Sequence, residues 1–457
     1  MNDSMKKLLF LTAMLAWMCC AGLYAQDTLR YHIDLRDKAA TDFSLKHPEK
    51  FLSAKALQRR ERQRLKVDST DLPVPKAYVK AIQRTGVKVL LTSKWENFVT
   101  VSCNDTAAIE QIRRLPFVKS AYKVWKAPEH VVPMSRDTII NSVTVNPDSI
   151  YGTGFGQIHI SNGDRLHDAG FKGQGMTIAV IDGGFHNLDR IPVLDNVKVL
   201  GTKDFVNPDS DIYGEATHGL SVLSCMAANK PGAMIGTAPE ASYWLLRSED
   251  SDSEYPVEQD FWAAAVEFAD SVGVDLVNTS LGYNEFDDST MDFRLRDLDG
   301  RSSVISRVAG RMADKGMILV CSAGNSGNSA WKKITPPADA DNILTVGAMV
   351  WQTRVIAPFS SVGNSQDGRV KPDVVAAGVR ANVINARGSQ GKANGTSFAS
   401  PIMCGMVACL WQACPTLTAK EMIELVRQSG DRAEYPDNIY GYGIPDMWQA
   451  YQSYLNK

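Results

Sequence analysis

Apolar and polar residues in the C-terminal part of this chain follow two periods, one typical of strands and one typical of helices. Four mainly apolar runs predict strands, and the first and last of them have the pattern of strands buried within a parallel sheet. They cover residues 176–181, 243–246, 274–279 and 317–321. Helical segments alternate with these runs, at residues 217–228, 257–271 and 301–315. The alternation predicts an α/β domain with a largely parallel central sheet flanked by helices.

The N-terminal part has a mixed pattern. Alternating segments predict four strands, at residues 31–35, 87–91, 98–102 and 118–124. Helical segments lie between them, at residues 53–64, 76–85 and 106–115. Together they predict a small α+β domain over residues 26–126. Residues 127–155 are weakly periodic and rich in proline, which is typical of a linker, so the second domain is expected to cover residues 156–457.

The first 25 residues have the pattern of a secretory signal peptide. Lys6 and Lys7 precede an apolar run that extends to about Leu23, and Ala25 is the expected residue before cleavage. No later segment is long and apolar enough to predict a membrane span. The sequence therefore predicts an exported protein, secreted or periplasmic, with no membrane span after signal removal.

Composition and charge narrow the function classes. Apolar residues make up 44% and charged residues 22% of the 457 residues, an ordinary globular balance. A net charge of −2 argues against a nucleic-acid partner. Residues 27–126 carry a net charge of +10 and residues 127–457 one of −13, as two surfaces that dock on each other would. The eight cysteines form no C-x-x-C pair, so no zinc site is predicted, and disulfide pairing stays open.

Four polar residues lie at positions suited to chemistry. Asp182 ends a buried run, and His218 begins a helix of small residues. Asn325 lies in a glycine-rich turn after the run at residues 317–321, and Ser397 lies at a loop-to-helix junction. Taken singly, each has an ordinary structural explanation as a turn former or a helix cap.

Taken together, the four residues fit nucleophilic catalysis. A serine attacks a carbonyl when a histidine takes its proton, and a carboxylate orients the histidine. An asparagine amide can donate to the oxyanion that forms. The chain order Asp182, His218, Ser397 is the order of the subtilisin triad, and it differs from the order in chymotrypsin and in the α/β-hydrolases.

Residues 157–443 resemble the subtilisin-like serine peptidases (subtilases). Five blocks carry the resemblance: residues 179–184 (Ala-Val-Ile-Asp-Gly-Gly), 218–219 (His-Gly), 280–282 (Ser-Leu-Gly), 322–325 (Ser-Ala-Gly-Asn) and 395–401 (Gly-Thr-Ser-Phe-Ala-Ser-Pro). The resemblance implies a subtilisin-like fold and an endopeptidase site at the strand ends. Residues 26–126 look like the propeptide of this family, an inhibitor and chaperone in cis, with a processing site in the linker.

The resemblance also implies roles for individual residues. Ser397 is expected to be the nucleophile, His218 the general base and then acid, and Asp182 the group that orients the imidazole. Asn325 and the Ser397 backbone N–H are expected to donate to the oxyanion. The expected substrate-binding residues are Ser280, Leu281, Gly282, Ala323 and Gly324.

The expected function is that of an exported serine endopeptidase, made as an autoprocessed zymogen and acting on protein or peptide substrates. A catalytically silent subtilase fold used as a binding or scaffold protein is the alternative from another class. A narrower alternative is a processing protease for one exported partner. The chemistry needs no cofactor. A structural calcium ion, as is common in the family, has candidate ligands in Asp204, Asn207, Asp209 and Asp211.

An acidic segment at residues 247–260 suggests a preference for basic peptides. Its acidic residues are Glu249, Asp250, Asp252, Glu254, Glu258 and Asp260. It lies where the family builds an edge for the substrate strand. Tyr283 stands where many members keep a second glycine, which predicts non-prime subsites of different shape.

Overall fold

The structure, a computed structural model, describes residues 28–128 and 134–456. The predicted signal peptide, residues 1–25, and part of the predicted linker, residues 129–133, lie outside the described residues. Among the helices that are described, none combines the length and the apolar character that a membrane crossing requires.

The first domain is built on a four-stranded antiparallel sheet in the order β2-β3-β1-β4. Its strands are β1 (Leu29–Leu35), β2 (Lys88–Ser93), β3 (Phe98–Cys103) and β4 (Val118–Lys126). Its helices are α1 (Ala54–Arg62), α2 (Lys76–Gln83) and α3 (Thr106–Arg113). Alternate strand residues such as Ile33 and Val101 face Ile109 and Ile112 of α3 in one core. The predicted α+β fold of this domain is confirmed.

The second domain contains an eight-stranded sheet. Seven strands follow the order β13-β12-β11-β10-β5-β9-β6, and β14 pairs with β12. These strands are β5 (Thr177–Asp182), β6 (Lys198–Asp204), β9 (Ser242–Arg247), β10 (Leu276–Thr279), β11 (Ile318–Ser322), β12 (Leu344–Val350), β13 (Val355–Ile356) and β14 (Val374–Ala377). All pairs are parallel except β12–β13. Two hairpins accompany the sheet: β7 (Asn229–Lys230) with β8 (Met234–Ile235), and β15 (Ala381–Ile384) with β16 (Gln390–Ala393).

Helices cover both faces of this sheet. They are α4 (Phe155–His159), α5 (Gly163–Asp168), α6 (His218–Ala227), α7 (Val257–Val272), α8 (Val304–Arg311), α9 (Thr396–Ala413), α10 (Ala419–Gln428) and α11 (Met447–Leu455). Ile178 and Val180 of β5 pack on the face with α6 and α9, whereas Ala179 and Ile181 pack on the face with α7 and α8. Both faces of β5 are therefore buried, and the predicted α/β fold is confirmed.

The first domain docks on α7. Asp270 of α7 is fully buried and accepts hydrogen bonds from three cations of the first domain, from Arg59 at 2.5 Å, Lys94 at 3.1 Å and Arg60 at 3.2 Å. Burial alone would raise the pKa of Asp270, but these cations hold that pKa well below its usual range. Basic side chains of the first domain thus meet a carboxylate of the second.

Candidate active site

Asp182 and His218 form a hydrogen-bonded pair at the carboxyl edge of the sheet. Asp182 is the last residue of β5 and is fully buried. Both of its carboxylate oxygens lie 3.0 Å from Nδ1 of His218. The His218 side chain keeps 39% of its surface exposed, so Nε2 stays accessible to a substrate. This contact fixes the tautomer with the proton on Nδ1 and leaves Nε2 as the base.

Small residues allow α6 to begin this close to β5. A Cβ atom added at Gly219 would lie 2.4 Å from the carbonyl oxygen of Gly184 and 2.8 Å from Cβ of Asp182. Such contacts are shorter than van der Waals packing allows, so only glycine fits after His218. The apolar run of β5 and the glycine after the histidine thereby bring Asp182 and His218 together, although 36 residues separate them.

Electrostatics raise the proton affinity of the histidine. Burial alone would lower the pKa of His218, but the charge and hydrogen bond of Asp182 raise that pKa to about 9. Glu249 contributes in the same direction. Its carboxylate lies beside the end of β5, because a Cβ atom added at Gly183 would be 3.5 Å from Glu249 Oε2.

Ser397 is the second residue of α9 and is 9% exposed. Its hydroxyl donates to the carbonyl oxygen of Ser280 at 3.4 Å, and its own carbonyl oxygen accepts from Ser280 Oγ at 2.8 Å. Within the described part of the chain, Ser397 Oγ makes no hydrogen bond to His218. A rotation about the Cα–Cβ bond of Ser397 redirects the hydroxyl, and catalytic hydrogen bonds commonly tighten only when substrate is bound.

Asn325 is held by the start of α9. Its Oδ1 accepts from the backbone N–H of Thr396 at 2.9 Å and from Thr396 Oγ1 at 3.0 Å. Because a backbone N–H can only donate, Oδ1 must face Thr396, and the NH₂ group faces away. Asn325 is exposed, so its NH₂ group is available to a ligand beside Ser397.

The segments after β10 and β11 flank this site. Leu281 and Ala323 have buried side chains in the core, so only their backbones can contact a substrate. Gly282 is required by space, since a Cβ atom there would lie 2.1 Å from Thr335 Oγ1. Gly324 has a φ of +104°, a conformation that favours glycine, and its N–H donates to Thr396 Oγ1 at 3.2 Å.

The side chains of three of the four predicted calcium ligands, Asp204, Asn207 and Asp211, have other partners in the structure. Asp204 accepts from Arg247 at 3.0 Å, from Ser210 at 2.5 Å and from backbone N–H groups. Asp211 lies at an ion-pair distance from Arg136. Asn207 accepts from the backbone of Asp209 at 3.3 Å. Among the described residues, no group of three or more His, Cys, Asp or Glu side chains is arranged to hold a metal, and calcium binding stays a prediction.

The acidic segment at residues 247–260 does not act as one surface. Asp260 faces the first domain, where it accepts from His32 and from Thr100, both at 2.8 Å, so its assignment to a substrate edge is corrected. Asp252 is exposed. Among the remaining acids, Glu249 lies beside the end of β5, where a Cβ atom added at Gly183 would be 3.5 Å from its Oε2. The sequence alone could not separate Asp260 from the other acids, because its partners His32 and Thr100 lie more than a hundred residues away along the chain.

Three further residues hold the site together, and the sequence alone predicts no role for them. Thr396 positions Asn325, as described above. Asn278 of β10 accepts from Ser400 of α9 at 2.8 Å and donates to Ser280 at 3.1 Å. Ser400 and Thr396 belong to the motif at residues 395–401, so their positions next to Ser397 could have indicated a role in the site. Asn278 offered a weaker signal, as a polar residue inside a buried strand.

Comparisons with known proteins agree with this arrangement. The family model of the subtilases (peptidase S8) matches residues 173–443, and that of the S8 propeptide domain of Bacteroidota matches residues 30–137. The chain belongs to the subtilase family, as its motifs predict.

Individual relatives agree as well. The serine protease AprX of Bacillus subtilis (strain 168) is 29% identical over 62% of this chain and 66% of its own length. Subtilisin NAT of Bacillus subtilis subsp. natto is 28% identical over 61% of this chain and 65% of its own length. The chain thus spans slightly less than two thirds of both relatives. The solved structure of the MycP3 protease of the type VII (ESX-3) secretion system aligns with a TM-score of 0.54 over 70% of this chain and 94% of that one, at 22% identity, and supports the fold.

Proposed function

We propose that this chain is an exported serine endopeptidase that is made as an autoprocessed zymogen. The observation that carries the proposal is the Asp182–His218 pair, which lies at the carboxyl edge of the sheet where α9 presents Ser397. The family match and the relatives named as serine proteases support the enzymatic class. The matched propeptide domain supports synthesis as a zymogen.

In the proposed mechanism, His218 Nε2 takes the proton from Ser397 Oγ as the oxygen attacks the scissile carbonyl carbon. Asp182 stabilises the imidazolium that results. The Asn325 NH₂ group and the Ser397 backbone N–H donate to the carbonyl oxygen as it becomes negative. His218 then gives its proton to the leaving amine, and water reverses the sequence to release the acid product. Asn325 lowers the barrier because its hydrogen bond strengthens in the transition state.

The substrate lies as an extended strand along residues 280–282. The backbones of this segment and of Ala323 and Gly324 supply hydrogen bonds, in the manner of an added β-strand. Buried side chains at Leu281 and Ala323 are consistent with this role, since main-chain pairing needs no side chain in the cleft.

Autoprocessing is proposed for the linker, residues 127–155. The chain is tied to the second domain on both sides of residues 129–133. Trp125 Nε1 donates to Ser253 Oγ at 2.9 Å, and the Asp137 backbone N–H donates to His186 Nε2 at 3.0 Å. Export is proposed from the N-terminal pattern around Lys6 and Lys7.

The test compares purified wild type with Ser397→Ala by intact mass and N-terminal sequencing. Wild type is expected to be cleaved within residues 127–155 and to lose the part of the chain before the cut. Ser397→Ala is expected to stay uncleaved. Folding of the variant is checked by circular dichroism. Two folded, full-length proteins that also fail to cleave a protein substrate after limited proteolysis would contradict the proposal and favour a binding or scaffold role.

A further inference from the structure

Two segments that leave the sheet meet beside the triad. The segment after β9 begins at Ser248, whose N–H donates to the Asp182 carbonyl oxygen at 3.1 Å. It meets the segment after β10 at Glu254 and Asp287. Two hydrogen bonds join these residues, from Asp287 N–H to the Glu254 carbonyl oxygen at 2.9 Å and from Glu254 N–H to Asp287 Oδ2 at 3.1 Å. The two segments therefore meet beside the catalytic pair.

Two buried polar side chains next to these segments have unpartnered atoms. Glu258, in the first turn of α7, is 1% exposed. Its Oε1 accepts from the Asp250 backbone N–H at 2.6 Å, and its Oε2 has no hydrogen-bond partner among the described residues. Tyr283 is also 1% exposed, and its hydroxyl has no partner in the same part of the chain. Because an unpaired buried polar atom is costly, the two together indicate a site for a ligand.

The electrostatics of this region favour a cation. Burial is the main cause that raises the pKa of three carboxyls, that of Glu249 to about 8, that of Glu254 to about 7 and that of Glu258 well above its usual range. Negative neighbours raise each pKa further: Asp182 and Glu254 act on Glu249, Asp287 acts on Glu254, and Glu254 and Glu249 act on Glu258. Burial also raises the pKa of Tyr283, and the charges of the three carboxylates add to that effect. Within the described ranges, no lysine or arginine forms an ion pair with any of the three.

The first domain places one positive charge close by. The guanidinium of Arg30 lies 3.8 Å from the centre of the Trp125 ring, and both residues belong to that domain. Burial lowers the pKa of Arg30, and the charges of Asp250 and Glu258 partly offset that effect. Arg30 forms no ion pair with either carboxylate in the described structure, so it neutralises the group only from a distance. Removal of the first domain takes this charge away.

We propose that Glu249, Glu254 and Glu258, together with the Tyr283 hydroxyl, form a subsite that binds an organic cation of the substrate. The cation is the side chain of a lysine or arginine near the scissile bond, or the free N-terminal amine of a short peptide. The inference rests on the proposed peptidase function and names the substrate class of the same site. A bound ammonium or guanidinium group donates to Glu258 Oε2 and ionises the carboxyls around it.

The experiment uses processed enzyme whose active sites have been titrated with a serine-directed inhibitor. One arm compares N-acetylated peptides that carry lysine or norleucine at each position on the acyl side of the scissile bond. A second arm compares a neutral peptide with a free N-terminus and its acetylated form. The expected result is a preference in kcat/KM of about 10- to 100-fold for the cation in one arm, the size of a hydrogen bond to a charged group.

Variants locate the preference. Glu258→Gln keeps the acceptor for the Asp250 N–H and removes the charge, so the ratio between cationic and neutral peptides is expected to fall toward one. Tyr283→Phe removes only the hydroxyl and is expected to lower the ratio in part, which keeps the test available if Glu258→Gln does not fold. Asp252→Asn is the matched control, since it removes one exposed charge from the same segment and is expected to leave the ratio unchanged.

Two outcomes overturn the inference while the proposed function stands. One is an active wild type with no preference for a cation in either arm. The other is a ratio between cationic and neutral peptides that Asp252→Asn lowers as much as Glu258→Gln does. That result would show that the preference comes from the overall negative charge of the segment and not from a subsite. Failure of the proposed function differs from both, since neither peptide is then cleaved and the inhibitor does not label Ser397.

Discussion

At the scale of single residues, His218 has two acidic neighbours and not one. Asp182 binds its Nδ1 directly, and Glu249, whose pKa is raised to about 8, adds a further negative charge beside the end of β5 as it ionises. Both charges favour the protonated imidazole, which cannot act as a base. The arrangement therefore stabilises the imidazolium of the transition state at the expense of the resting base at neutral pH.

This balance predicts an alkaline activity profile. Because only neutral His218 accepts the Ser397 proton, kcat/KM is expected to rise as pH passes from the ordinary pKa of 6.5 toward about 9. Glu249→Gln removes a charge that raises the pKa, so the rise is expected at lower pH. The profile is measured with a neutral acetylated peptide, and Asp252→Asn serves as the control. A wild-type rise centred near 6.5 that Glu249→Gln does not move would contradict this account.

At the scale of elements, strands and helices with a strong apolar pattern were predictable. The run that forms β5 is buried on both faces, and this pattern led to the α/β fold and to Asp182 at its end. β6, in contrast, was not predicted. It is an edge strand with mostly exposed residues, among them Lys198 and Lys203, and it has no apolar run to recognise.

One helix is shorter than its pattern predicts. Residues 301–315 were predicted as a single helix, but α8 begins only at Val304 and ends at Arg311. Ser303 caps its start, since its side chain accepts from the Ser306 N–H at 3.1 Å. A separate 3-10 turn at Ala313–Lys315 follows and closes at Gly316, which has a φ of +82°. Local capping chemistry overrode the apolar periodicity.

The candidate site was predictable as a set of residues, though not as a set of contacts. The motif around Ser397 and the glycine-rich turn around Asn325 were recognisable from the sequence. The contact between Asn325 and Thr396 joins positions 71 residues apart, and only the pairing of β10 with β11 and the position of α9 bring them together. Such contacts follow from tertiary packing, which no local pattern encodes.

The close approach of α6 to the end of β5 can be tested at Gly219. Gly219→Ala is expected to displace the start of α6 and lengthen the Asp182–His218 contact, because the added Cβ atom would lie 2.4 Å from a backbone oxygen. We expect activity to fall by at least about 100-fold, as small misplacements of catalytic groups do. Gly310→Ala in α8 is the matched control, since its Cβ atom would be 3.8 Å from its nearest neighbour.

The measurements are kcat/KM and thermal unfolding of both variants. Gly310→Ala is expected to keep activity and to gain stability slightly, because alanine is the better helix former. Equal activity of the two variants would show that α6 has room at Gly219, and the proposed role of this glycine would be wrong.

At the scale of the whole molecule, the two domains meet through buried charges. His32 of β1 is 1% exposed, and both of its ring nitrogens contact carboxylates, Nδ1 with Asp260 at 2.8 Å and Nε2 with Asp34 at 3.2 Å. Two carboxylate partners require two N–H groups, so the ring is charged. Burial alone would lower the pKa of His32, but Asp260 and then Asp34 raise it to about 9.

This contact predicts a stability that depends on pH. The pKa of His32 is raised from 6.5, so its contribution is complete below 6.5 and is lost as pH rises through about 9. Uncleaved Ser397→Ala is therefore expected to lose up to about 3 kcal/mol of stability more than Ser397→Ala/His32→Gln between about pH 6 and pH 10. Urea unfolding measures both proteins. Parallel pH profiles would contradict an interdomain role for His32.

The hydrophobic core extends across the domain boundary. Trp95 and Phe98, from the turn and strand that follow β2, are almost fully buried in the same cluster as Trp262 of α7 and Ile305 of α8. Truncating one such aromatic side chain typically costs about 3–5 kcal/mol, and a whole domain is stable by only about 5–15 kcal/mol. Proteolytic loss of the first domain would remove both aromatic side chains at once.

The processed enzyme would then stay folded because it unfolds slowly. Its lifetime would be set by the activation barrier to unfolding and not by the free energy of unfolding. Heat or denaturant would act on it irreversibly, since the part of the chain that completes the core is no longer attached to guide refolding. Each molecule could therefore be activated only once.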